Sequence, residues 1–107
     1  MRTITATELA QALAGPPESV PVVLDVREPW ELEIASLPGV VAIPMAAIPR
    51  SLDRLDPERT TVCLCHHGAR SMQVAMFLEH QGFSDVVNLT GGIDAWSAQV
   101  DPQVRTY

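Results

Sequence analysis

Residues 62–75 read VCLCHHGARSMQVA. An apolar run ends at Cys65, two histidines and a glycine follow, and from Arg70 the chain turns helical. The run belongs to TTVCLC (60–65), and the helix to RSMQVAMFLEHQ (70–81), the strongest helical stretch in the chain. A strand that is apolar at every position has no face for water, so it is expected inside a parallel sheet covered on both sides. A strand running through a tight turn into a helix is the unit from which such sheets are built. Functional sites in these sheets lie beyond the carboxyl ends of the strands, which is where Cys65 falls.

The same alternation continues in both directions. Downstream, Gly82 followed by Phe83 predicts a glycine stop for the helix. DVVNL (85–89) then reads as a strand and GGIDAWSAQ (91–99) as a last helix. Upstream, GVVAIP (39–44) and the β-branched VPVVLDV (20–26) are strands, and PRSLDRL (49–55) is a short helix closed by Asp56-Pro57. EPWELEIA (28–35) opens with Pro29 at the first helical position and acidic residues in its first turn, and Pro38-Gly39 stops it. Ile4 sits in a brief first strand, and TATELAQAL (5–13) carries helix-entry chemistry, with Thr5 or Thr7 as cap and Glu8 nearby.

Composition narrows the function classes. With 107 residues, 47% of them apolar and 19% charged, the chain is expected to fold as one domain spanning residues 1–107. The net charge is −6 and all seven basic residues are Arg. No basic run marks a nucleic-acid or anionic-membrane surface, and lysine chemistry is excluded. The start of the chain carries no apolar signal-peptide core, and no run approaches the ~20 apolar residues that span a bilayer. Two cysteines are too few for a disulfide framework. A cytoplasmic location with reduced thiols is expected.

The loop HHGA must turn sharply between strand and helix, and Gly68 tolerates the positive φ this needs. Such a turn aims successive backbone N–H groups inward, forming an anion nest at the positive end of the helix. Cys65 beside that nest is an activated thiolate, and Arg70 adds a fixed positive charge. Cys63, mid-strand, reads as a core residue. Cys63, Cys65, His66 and His67 also suggest metal ligands, yet four ligands within five residues of stiff chain lack the paired spacing of a zinc site. No metal and no cofactor is expected. His80 reads as a solvated helix-terminus residue. His66 and His67 are read as part of the loop and of the substrate's surroundings.

With those residues in view, the chain resembles the rhodanese (sulfurtransferase) family, specifically its single-domain members. LDVREPWELEIASLPGVVAIP is similar to the family's first signature, CHHGARS to its active-site loop and GGIDAW to its C-terminal signature. The resemblance implies an α/β fold with a five-stranded, mostly parallel sheet flanked by helices on both faces. It implies that Cys65 takes a sulfane sulfur from a donor such as thiosulfate, becomes a persulfide, and passes the sulfur to cyanide or a thiol. His66, His67, Gly68, Ala69, Arg70 and Ser71 would cradle the substrate. Asp25, Arg27 and Glu28 would hold the first strand and its turn through buried ion pairs and hydrogen bonds, and Gly91, Gly92 and Trp96 would serve packing and turning. The implied partners are small sulfur donors and thiol acceptors, thioredoxin or another sulfur-relay protein among them. Two departures stand out: Ser36 where many members have histidine, and His66 where many have a basic residue directly after the cysteine.

Two rival functions share these features. Cysteine phosphatases and arsenate reductases also cradle an anion between Cys and Arg, but with five residues between them. Here there are four, His66 to Ala69. Rhodanese-like modules that bind without turnover often lose the cysteine, which is present here. A persulfide carrier that hands sulfur to a partner protein stays open at this level.

Overall fold

The computed structural model describes all of residues 1–107. The apolar runs become five strands: β1 Arg2–Ile4, β2 Val22–Asp25, β3 Val41–Ala42, β4 Thr61–Leu64 and β5 Val86–Leu89. Four α-helices alternate with them: α1 Ala6–Leu13, α2 Pro29–Ile34, α3 Ala69–His80 and α4 Gly92–Gln99. Across the sheet the order is β1-β5-β4-β2-β3, and every neighbouring pair is parallel. The expected fold class holds, without any antiparallel pair.

The period of two along the strands divides the core. Val62 and Leu64 of β4 join Val23, Val87 and Leu89 on one face, where Leu9 of α1 and Ile93 and Trp96 of α4 cover them. Cys63 and Cys65 point to the other face with Leu24, Val26 and Val86, beneath Val74, Ala75 and Leu78 of α3. Each fully buried aliphatic side chain contributes about 1.5–3 kcal/mol, so both faces are needed to hold the sheet. β4 lies between β5 and β2, so its carboxyl end is flanked by a strand on each side.

The local signals mostly act as expected. Thr5 caps α1 in a capping box: its Oγ1 accepts the Glu8 N–H at 3.1 Å, and Glu8 Oε1 accepts the Thr5 N–H at 2.9 Å. Gly82 ends α3 at φ +94°, and the N–H of the buried Phe83 returns to the Leu78 carbonyl at 3.1 Å. His80 is exposed at the end of that helix.

Two stretches differ from the sequence reading. In place of one helix over 49–55 there are two 3₁₀ turns, Met45–Arg50 and Leu52–Arg54. Pro49 falls inside the first of these turns instead of opening a helix, and Ser51 breaks the path between the two at φ −123°. The strand expected over 39–44 shrinks to Val41–Ala42, bracketed by Gly39 at φ +79° and by Pro44. No helix is long and apolar enough to cross a membrane.

Candidate active site

Cys65 lies one residue beyond β4, the first of the four residues, Cys65 to Gly68, that lead into α3 at Ala69. Its side chain is almost wholly enclosed, with the residue 1% exposed. Sγ accepts the Gly68 N–H at 3.0 Å, and the Ser71 hydroxyl reaches it at 3.3 Å. Gly68 has φ +114°, a conformation closed to most side chains, and this turn is what aims its N–H at the sulfur. The Ser71 hydroxyl also lies 2.5 Å from Asn88 Oδ1 and 3.2 Å from the Gly68 carbonyl, to which Asn88 Nδ2 donates at 3.2 Å. Ser71 has one proton and three acceptors, and a thiolate is the strongest acceptor among them.

Burial is the largest single influence on Cys65 and pushes its thiol up. The Ser71 hydroxyl and the N–H groups of Ser71, Gly68 and His67 together outweigh it, and the thiol sits below its ordinary value. Cys63 lacks such donors; burial, with the neighbouring Cys65 charge, pushes it up to about 12. Only the thiolate alkylates. Mass mapping after brief iodoacetamide exposure near pH 6 is therefore expected to find the label on Cys65 and almost none on Cys63; equal labelling would remove the nest from the account.

The loop carbonyls point the opposite way. The N-terminus of α4 rises beneath them, with the Ile93 N–H donating to Cys65 C=O at 2.9 Å and the Asp94 N–H to His66 C=O at 3.2 Å. The otherwise unpartnered N–H groups of a helix start thus hold the loop in place. Gly92 makes the approach feasible: at φ +61°, a Cβ there would stand 2.4 Å from both carbonyl oxygens. The GGIDAW stretch acts in packing and turning, and Trp96 is buried in the core.

Arg70 does not stand free. Nη1 and Nη2 bind Oε1 and Oε2 of Glu31 at 2.6 and 2.8 Å, a bidentate pair in which the Glu31 side chain is 3% exposed and that of Arg70 35%. The Arg70 hydrogen bonds hold Glu31 down at about 2, against the opposing effect of burial, and Glu31 in turn raises Arg70. Behind this pair, Arg27 is fully buried against Asp25, with Nη2 2.7 Å from Oδ2 and Nε 2.9 Å from Oδ1, and it also donates to the Ala35 carbonyl at 2.8 Å. Glu28 differs from the sequence reading: it lies at the surface without an ion pair, and its backbone N–H is held by Glu31 Oε1 at 2.9 Å. The buried carboxylate belongs three residues later, on the inward turn of α2.

The His66 ring is sandwiched between His67 and Tyr107, each centroid 3.9 Å away, with interplanar angles of 24° and 7°. Burial and the adjacent His67 hold His66 below the ordinary histidine range, so it is neutral at pH 7. His66 Nε2 is buried without a hydrogen-bond partner. The structure separates both cysteines from the metal-like cluster of the sequence and brings His66 and His67 together with Asp94, their ligating atoms within 4.8 Å of one another. Near-parallel stacked rings send their in-plane lone pairs side by side, whereas a zinc ion needs nitrogens converging at about 2.0–2.1 Å. Ala69 is exposed at the start of α3.

Sequence reasoning missed Glu31, Asn88 and Tyr107. Asn88, a polar residue inside an apolar strand, was the one with a visible signal, because buried amides seldom lack a structural duty.

Residues 5–99 match the model of the rhodanese-like domain. The chain is 51% identical over 88 residues to the rhodanese-like/PpiC domain-containing protein 12, chloroplastic, of Arabidopsis thaliana, covering 78% of this chain and 29% of that one. It therefore spans under a third of that plant relative. A sulfurtransferase of Allochromatium vinosum is 35% identical over 94 residues, covering 88% of this chain and 86% of its own length. Among solved structures, the rhodanese-like domain protein of Staphylococcus aureus superposes with a TM-score of 0.84 at 31% identity, covering 100% of this chain and 99% of that one.

Proposed function

The chain belongs to the rhodanese-like domain family, and from that membership we propose that it is a sulfurtransferase carrying a sulfane sulfur on Cys65, with thiosulfate as a competent donor. The observation that carries the reading is the Cys65 sulfur itself: enclosed, below its ordinary pKa, and faced by the Gly68 N–H and the Ser71 hydroxyl.

The Cys65 thiolate attacks the outer sulfur of thiosulfate. The S–S bond of the donor breaks, its electron pair leaves with sulfite, and Cys65 becomes a persulfide anion. A nucleophilic acceptor then attacks the terminal sulfur: cyanide leaves as thiocyanate, a thiolate as a persulfide, and the Cys65 thiolate returns. No external oxidant or reductant enters. At each stage one negative charge rests on sulfur in an enclosed site, and the loop amides are fixed donors that need no reorganisation to meet it. His66, neutral at pH 7, adds no charge beside the cysteine, so the affinity for a dianion rests on backbone donors and Arg70. Acceptors on this reading are thiols, small or carried by a sulfur-relay protein such as thioredoxin, in a reducing compartment such as the cytoplasm.

The test is the intact mass of the reduced protein after incubation with thiosulfate. A gain of one sulfur atom, reversed by a thiol wash, is the expected outcome. No gain on folded protein whose Cys65 still alkylates would sink thiosulfate as donor.

A further inference from the structure

Residues 100–107 lie outside the stretch matched to the family, yet they return to the site. The Ser97 hydroxyl donates to the Val104 carbonyl at 2.7 Å, and Val104 packs on the core, which directs the following residues along α2. Tyr107 then meets four site elements. Its hydroxyl donates to Glu31 Oε2 at 2.6 Å and accepts from Arg27 Nη1 at 3.1 Å. Its ring lies flat on His66, and Trp30 meets it edge-on at 6.0 Å.

The consequence falls on Arg70. Glu31 takes one N–H from each terminal nitrogen of its guanidinium, and the remaining donors have no partner in the chain. A half-exposed arginine paired to a mobile carboxylate would sample several geometries. Glu31 is not mobile: Oε1 also accepts the Glu28 N–H, and Oε2 also accepts the Tyr107 hydroxyl. The Tyr107 hydroxyl is the only one of these anchors tied to a second charged residue, the buried Arg27.

We propose that Tyr107 is a positioning residue of this site: through Glu31 it fixes the Arg70 guanidinium at the rim of the Cys65 loop, with its spare donors presented to an anionic partner. The inference rests on Cys65 as the nucleophile, and it assigns to a segment outside the family match a part in choosing between charged and neutral partners.

The test compares Cys65 alkylation by iodoacetate, an anion, and iodoacetamide, its neutral analogue, in wild type, Y107F, R70A and Y107F/R70A. Y107F keeps the ring and its stack and removes only the hydroxyl, and circular dichroism and melting check its fold. The rate constant for iodoacetate is expected to fall about three- to tenfold more than that for iodoacetamide, the scale of one net hydrogen bond. In R70A the ratio falls further, and adding Y107F to it changes nothing more. Equal losses for the two reagents in Y107F, an unchanged ratio, or a second drop of the same size in the R70A background would each overturn the proposal. Alkylation needs no sulfur donor. A wild type that alkylates in this pattern but never takes up sulfur would fail the sulfurtransferase reading and leave the role of Tyr107 standing; one whose Cys65 ignores both reagents would overturn both.

Discussion

Serine at position 65 is expected to leave a folded protein that neither takes up sulfur nor transfers it. Oxygen is close to sulfur in shape, and the Gly68 N–H and Ser71 hydroxyl that face Sγ remain as partners for Oγ. The cost to stability is therefore small, about 1 kcal/mol for a conservative change at an enclosed site. The cost to chemistry is nearly complete. A serine hydroxyl stays protonated at neutral pH, and no general base stands beside it in the nest. Loss of the nucleophile in a concerted site removes ~10⁴-fold or more of the rate. The measurement is the intact mass after thiosulfate, read with the rate of sulfur delivery to cyanide or a thiol, on protein whose melting curve matches wild type. Sulfur transfer that survives in Cys65→Ser would relocate the chemistry. Cys63 is not a ready substitute, since its thiol is pushed up to about 12 inside the sheet.

The second large effect is expected from Gly92→Ala, one methyl group with no polar atom. At φ +61° a non-glycine residue is strained by about 1–2 kcal/mol. The added carbon also falls 2.4 Å from the carbonyl oxygens of Cys65 and His66, so backbone must move. Overpacking that displaces backbone costs about 1–3 kcal/mol more. A total near 3 kcal/mol is expected in urea unfolding, with sulfur loading falling in the protein that remains folded, because the loop that moves is the one carrying the nest. Gly82→Ala is the control: it has φ +94° but open space around the missing carbon, so only the backbone strain applies. Equal destabilisation by the two changes would mean that α4 does not bear on the loop.

The legible part of this molecule was the part written locally. The apolar runs marked the strands, and the thiol at the end of TTVCLC with Gly68 after it marked the loop. Helix entry at Thr5 and exit at Gly82 are short-range hydrogen-bond patterns, so adjacent residues reveal them. The helix expected over 49–55 is interrupted at Ser51, whose N–H closes the preceding 3₁₀ turn on the Ile48 carbonyl at 3.0 Å, and no neighbouring residue marks that break. The network around Arg70 was not legible. Arg70 meets a glutamate 39 positions earlier, and that glutamate meets a tyrosine 76 positions later. Nothing in EPWELEIA distinguishes Glu31 from Glu28 or Glu33 until the turn of α2 brings one of them inward. Asn88 is intermediate: its burial followed from the strand, but its partners Ser71 and Gly68 did not.

The seating of the loop on α4 also bears on the order in which the protein is made. The carbonyls of Cys65 and His66 find their donors only on residues 93 and 94, and β1 completes the sheet only when β5 exists to pair with it. A ribosome that has released residues through 80 has exposed the thiol and its helix but not the floor that shapes the turn. Contacts of such long sequence separation close late, after the loop-closure entropy between them has been overcome. The loop that presents donors to Cys65 is therefore expected to take its final shape only after residues 93 and 94 have joined it.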